Sequence, residues 1–170
     1  MDPRNHLTQL VAELAARVDL ELEFDAEGYA AIETADGVRV LLQAGFETDT
    51  MRLNTLLGEA PTVEREAFLS DMLVLNAQPE LFGRAYFALN QTHTHVMLVM
   101  REILTDLDVQ RLGTMLRMLV TATTALQPAF DAAKQPGKNL IDEFKTAVTG
   151  ITSTDASQSI FEEGETIFRG

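Results

Sequence analysis

The chain has no cysteine and no tryptophan, and only 6% of its 170 residues are aromatic. Without cysteine there are no disulfides, no thiolate-bound zinc and no thiol nucleophile. Few aromatics mean a mainly aliphatic core, with seven methionines available as adaptable filler. Cations are scarce as well: 13 Lys and Arg stand against 26 Asp and Glu, a net charge of −13. Binding to nucleic acid needs Lys and Arg to displace phosphate counterions, and binding to an anionic membrane surface needs the same charges. The balance therefore points away from both and towards solubility and a basic or amphipathic partner. No apolar run approaches the ~18 residues of a membrane-spanning helix. The first 20 residues carry charges throughout and contain no apolar signal-peptide region, so the expected location is the cytosol.

Catalytic signatures are missing too. The sequence holds no G-x-G-x-x-G, no P-loop and no G-x-S-x-G. No cofactor is implied. His93 and His95 form an H-x-H pair that, on a strand, would share a face and could begin a metal site. No third histidine is near in sequence, and a metal site needs three or four ligands with a supporting shell. Two solvated imidazoles on a hairpin turn are the plainer account. Glu162, Glu163 and Glu165 lack the ligand order of a calcium loop and read as a solvated acidic tail.

What is present is periodicity. Asp2-Pro3 reads as a helix start, and Leu7, Leu10, Val11, Leu14 and Val18 fall on one helical face. From Leu20 to Asp25 the alternation changes to that of a half-buried strand. Residues 29–34 and 38–44 read as strands around the hairpin signal Asp36-Gly37, and residues 48–57 as a further strand ending at Gly58. Pro61-Thr62 opens a second helix, with Phe68, Leu69, Met72, Leu73 and Leu75 as a broad apolar surface. Met72 and Leu73 are expected to face the core, with Phe68 and Leu75 on the flank. Two strands, 84–90 and 96–101, flank a polar turn. Asp106 or Asp108 caps a long helix whose stripe is Val109, Leu112, Leu116, Leu119, Thr123, Leu126 and Phe130. Pro128 suggests a kink or early stop. Composition shifts at Gln135-Pro136-Gly137-Lys138, dividing a domain at 1–134 from an extension at 135–170. Within that extension residues 139–148 could form a short helix, residues 149–159 read as flexible, and Ile160-Phe161 and Ile167-Phe168 form spaced apolar pairs.

The fold class is α+β: helix, three to four antiparallel strands, helix, two strands, long helix. That order resembles the Tir-chaperone (CesT-like) family of type III secretion chaperones. So do the phrases Phe68-Leu69-Ser70-Asp71-Met72-Leu73-Val74-Leu75-Asn76-Ala77 and Leu81-Phe82-Gly83-Arg84-Ala85-Tyr86-Phe87-Ala88-Leu89. The resemblance implies a non-catalytic bacterial homodimer, joined largely through the second helix and a neighbouring strand. It implies that the extended N-terminal segment of a secreted effector is held on the surface and kept competent for secretion. Strand addition and apolar grooves would supply the binding. Leu10, Val40, Leu42 and Met51 are the candidates for lining the client groove; Phe68, Met72 and Leu75 are the candidates for the dimer interface. A regulatory or sensory protein using the same fold is the alternative, and a small hydrolase the more distant one.

Overall fold

Residues 2–17, 22–78 and 84–154 are described by a computed structural model, with side chains as far as residue 147. The first helix, α1 (Pro3–Arg17), buries Leu7, Leu10 and Leu14. These recur at three and four residues, so one stripe meets the core. Val18 of the predicted stripe lies outside the described residues. So do Leu20 and Glu21 of the predicted first strand, and residues 22–25 are not strand. Leu22 is nevertheless buried. Its alternation with acids records one inward side chain rather than a paired ladder.

Three strands follow: β1 (Tyr29–Glu33), β2 (Arg39–Gly45) and β3 (Thr50–Glu59). They pair antiparallel, with Ala31 opposite Leu41, Leu41 opposite Asn54 and Leu42 opposite Leu53. The Asp36-Gly37 turn closes through Gly37 N–H to Thr34 O, and Gly37 takes φ 81°, a value that costs glycine little. β3 does not stop at Gly58, as the sequence suggests, but runs through it to Glu59. Gly58 is there because its φ is 142° and a Cβ would stand 3.1 Å from the Phe130 ring.

The second helix, α2, spans Arg65–Asn76 and so begins later than Pro61-Thr62 suggests. Glu64, in left-handed conformation at φ 53°, stands at its N-cap. β4 (Tyr86–Leu89) and β5 (His95–Ile103) form a hairpin closed by Asn90 N–H to His95 O. The five strands form one sheet in the order β1-β2-β3-β5-β4, leaving β1 and β4 as edges. A 3-10 turn (Leu104–Asp106) leads to α3 (Val109–Ala133). Asp108 caps it, accepting from Arg111 N–H at 2.7 Å. All seven residues of the predicted α3 stripe are buried. The helix also continues for a full turn past Pro128. Ala129, Phe130 and Ala133 are buried there, and their burial outweighs the hydrogen bond that proline withholds from the Thr124 carbonyl.

The last described element is α4 (Leu140–Thr154), longer than the short helix expected and reaching into residues 149–154, which read as flexible in the sequence. Ile160-Phe161, Ile167-Phe168 and the acidic run beside them lie outside the described residues.

Close contacts divide the chain into two units. Among the described residues, the first takes those up to Thr55 and Val99–Val120; the second takes Leu56–Leu98 and residues 121–154. In the first, α1 packs on the 3-10 turn, with His6 Nε2 donating to Leu107 O at 2.7 Å. Asp49 fixes that turn: its carbonyl accepts from Leu104 N–H and its carboxylate from Thr105 N–H and Oγ1. In the second, Phe68 meets Phe130 edge-on at 5.6 Å and Phe87 meets Phe144 at 5.4 Å, a favoured aromatic geometry.

Candidate functional site

The four residues expected to line a client groove are all core. Leu10, Val40, Leu42 and Met51 are almost fully enclosed in the first unit, so they line no open groove. The reason lies in the run Val38-Arg39-Val40-Leu41-Leu42, which is apolar on both sides of the strand. Side chains alternate along β2: Val40, Leu42 and Ala44 point inward, and Leu41 points outward with 42% of its surface exposed. Beside Leu41 on the outer face stand exposed Ala31 and, one pair along, Tyr29, 49% exposed. Gln43 Nε2 donates to the Tyr29 hydroxyl at 2.9 Å and holds the ring over that face. An outward apolar row of Tyr29, Ala31 and Leu41 thus borders β1, which pairs with no further strand among the described residues, the combination that accepts an added strand.

The residues expected at a dimer interface are likewise internal. Phe68, Met72 and Leu75 are buried in the second unit, whereas Leu73, expected in the core, is 70% exposed. Their three- and four-residue spacing puts Phe68, Met72 and Leu75 on one helix face and Leu73 and Val74 on another. Val74 is 46% exposed. With Ala67, Ser70 and Ala77 it makes an exposed strip of small and aliphatic residues along α2. Small side chains on such a strip let another helix come close.

Asn76, which the sequence offers only as part of a phrase, has a defined task. Its Oδ1 accepts from Phe87 N–H at 2.7 Å and its Nδ2 donates to Phe87 O at 3.0 Å. The amide imitates a neighbouring strand and ties α2 to edge strand β4. The primary amide of Asn or Gln donates and accepts side by side through one planar group, which would have been the signal to follow. Gln127 ties α3 to β3, its Nε2 donating to Leu57 O at 2.7 Å beside Gly58.

The H-x-H residues are not brought together as ligands. His93 sits in the turn in left-handed conformation at φ 58°, and only His95 is on the strand. The His95 Nδ1 is engaged by the Thr94 hydroxyl at 2.9 Å. Among the described residues no group of three or more His, Asp or Glu is placed to hold a metal. One carboxyl is held below its ordinary value: Asp131, chiefly through the hydrogen bond from Lys134. Lys134 also lies over the Phe130 ring, 4.7 Å from its centroid.

An antiparallel sheet with an apolar row beside one edge is an arrangement that can take up an extended segment of another protein. The chain belongs to the Tir chaperone protein (CesT) family, whose profile matches residues 9–127, and is a type III secretion chaperone. No curated protein sequence matches it. Solved structures share the fold. A chain of the ExsC–ExsE complex is 21% identical, with a TM-score of 0.64, over 75% of this chain and 96% of that one. A chain of the HopA1–SchA chaperone–effector complex is 15% identical, TM-score 0.58, over 70% and 91%. The Yersinia pestis type III secretion chaperone SycH, in complex with a fragment of YscM2, gives a match 23% identical, TM-score 0.54, over 68% and 95%. Among the described residues, no helix is long and apolar enough to cross a membrane.

Proposed function

We propose that this chaperone works in the bacterial cytoplasm, as a homodimer without catalysis, by holding an extended segment of a secreted effector against its β1 edge. The family match over residues 9–127 carries this reading. The outward row of Tyr29, Ala31 and Leu41 supports that location: an extended client beside β1 would gain backbone hydrogen bonds from the edge and set alternate side chains against the row. Burying apolar surface there stabilises the complex by about 25 cal/mol per Å², less the cost of ordering the client. No step in this needs a nucleotide, a metal or a covalent intermediate. The net charge of −13 favours basic segments and keeps the loaded complex soluble.

The exposed strip on α2, with Leu73 and Val74 as its largest members, supplies the subunit contact in this reading; buried Phe68, Met72 and Leu75 support it from beneath. Co-purification with the tagged protein from the bacterium that encodes it, followed by mass spectrometry, tests the assignment. The expected partner is a protein that the same bacterium secretes, held through its N-terminal segment. Recovery of only folded cytosolic enzymes, with no secreted protein among them, would sink it.

A further inference from the structure

The backbone of β1 is occupied at one end of its outer side. Pairing with β2 uses the even-numbered residues: Ala44 N–H donates to Gly28 O, and Thr34 N–H donates to Val38 O. Alternation then turns the N–H and C=O of Tyr29, Ala31 and Glu33 to the side that carries no further strand among the described residues. Tyr29 is already satisfied there. Its N–H donates to Asp25 Oδ1 at 2.7 Å, and its carbonyl accepts from Asp25 N–H at 2.9 Å. Asp25 thus stands where a neighbouring strand would, held by the turn that Gly28 N–H closes onto Asp25 O. At the other end the chain leaves the ladder at Ala35, where the Asp36-Gly37 turn begins. Between these limits Ala31 and Glu33 each present an N–H and a C=O that have no partner among the described residues.

The edge at β4 is closed by the same device. The hairpin bond from Asn90 N–H to His95 O sets the alternation, so Phe87 and Leu89 turn their backbone groups away from β5. Phe87 is the residue whose N–H and C=O the Asn76 amide holds. Only Leu89 is left beside the turn, and one pair of hydrogen bonds does not offset the ordering of an added strand. We propose that Asp25 and Asn76 are edge plugs: they confine strand addition to Ala31 and Glu33, and so fix both the edge and the register at which a client pairs. The plugs stand on hydrogen bonds within this chain; that the added strand belongs to a secreted client rests on the chaperone reading. Running antiparallel, like β1 against β2, the client places one residue opposite Ala31 and another, two positions away, opposite Glu33. Neither is proline, because each donates an N–H. The residue opposite Ala31 lies beside Leu41 and Tyr29 and is apolar. The residue opposite Glu33 is not acidic, since like charges directly across a ladder repel.

The test is residue-resolved amide exchange on the full chain, alone and with the unfolded N-terminal segment of the co-purified secreted protein. In the protein alone, Tyr29 and Phe87 should be protected at least about tenfold more than Ala31 and Glu33, since a bonded amide must open before it exchanges. Asp25→Pro removes both the N–H and the carboxylate that hold Tyr29. It should bring Tyr29 to the level of Ala31 and leave Ala30 and Ile32, which pair with β2, unchanged. Asp25→Asn keeps both groups and should behave as wild type. Should Asp25→Pro not fold, Asp25→Ala removes the acceptor alone, and the same acceleration of Tyr29 is required of it. Adding the segment to wild type should slow Ala31 and Glu33 at least about tenfold and leave Leu89 unchanged; in Asp25→Pro the slowing should extend to Tyr29. A turn residue with no part in register would not produce that extension. Tyr29 exchanging as fast as Ala31 in wild type alone, protection gained at Leu89, or a bound segment that leaves Ala31 and Glu33 unchanged would overturn the proposal. A segment that does not bind at all defeats the chaperone reading, and the pattern in the protein alone still decides the plugs.

Discussion

Leu41 and Leu42 are chemically identical neighbours that meet different environments, and the contrast gives the first expectation. Leu42 has none of its surface exposed, and a carboxylate there would be buried without a partner. Leu42→Glu should cost several kcal/mol, on the order of 3 or more, and abolish folding at moderate temperature. Leu41→Glu should stay within about 0.5 kcal/mol of wild type in urea unfolding, because its side chain already meets water. Equal losses at both positions would mean that Leu41 is core. Asp131 gives the pH dependence. Its pKa is lowered, first by the hydrogen bond from Lys134, against an opposing push from burial and with help from Gln127. A carboxyl whose folded value lies below its unfolded value stabilises the fold above about pH 4, and that contribution is lost as pH falls through the folded value. The side chain is 54% exposed, so solvent screens most of the effect. Asp131→Asn should therefore lower the melting temperature slightly at pH 7, with the difference from wild type shrinking as pH falls below the ordinary carboxyl value of 3.8. A difference that grows on acidification would contradict the assigned sign.

At the level of elements, α3 was the most legible part of the chain. Its stripe alternates steps of three and four over six steps, and every member proved buried. The hairpin at Asp36-Gly37 was legible for the same kind of reason: the turn needs a left-handed residue and the sequence supplies glycine. The faces of β2 and α2 were not legible. Residues 38–42 and 72–75 are apolar in nearly every position, so neither period stands out, and which side faces inward is set by the elements packed on it. That is why the sequence did not show that Leu42 and Phe68 are buried while Leu41 and Leu73 are exposed. The helix expected over residues 139–148 is present and longer, Leu140–Thr154, but the composition shift at Gln135-Pro136-Gly137-Lys138 gave no sign that Leu140 and Phe144 are buried. Pro128 misled in the opposite direction, because tertiary burial of Phe130 and Ala133 carries the helix past a residue that breaks isolated helices. Pro128 is exposed, so Pro128→Ala should restore a donor for the Thr124 carbonyl and stabilise the protein by about 1–3 kcal/mol in urea unfolding. Destabilisation instead would mean that α3 depends on the proline itself.

For the whole molecule the account requires a dimer, and it puts the contact on Leu73 and Val74. Light scattering should return twice the 18.8 kDa chain mass. Leu73→Glu should shift the population towards monomer with little change in the far-ultraviolet spectrum of the separated chain, since the side chain is exposed in one chain. A stable dimer that tolerates Leu73→Glu would place the contact elsewhere. The central claim is that a secreted client lies along the β1 edge, on the outward face rather than in a groove lined by Leu10, Val40, Leu42 and Met51. The most direct test is calorimetric titration of the unfolded N-terminal segment of the co-purified secreted protein into wild type and Leu41→Glu. The account expects wild type to bind and Leu41→Glu, with its melting temperature unchanged, to bind at least about tenfold more weakly, the factor that 1.4 kcal/mol represents. Equal affinity for both would contradict it.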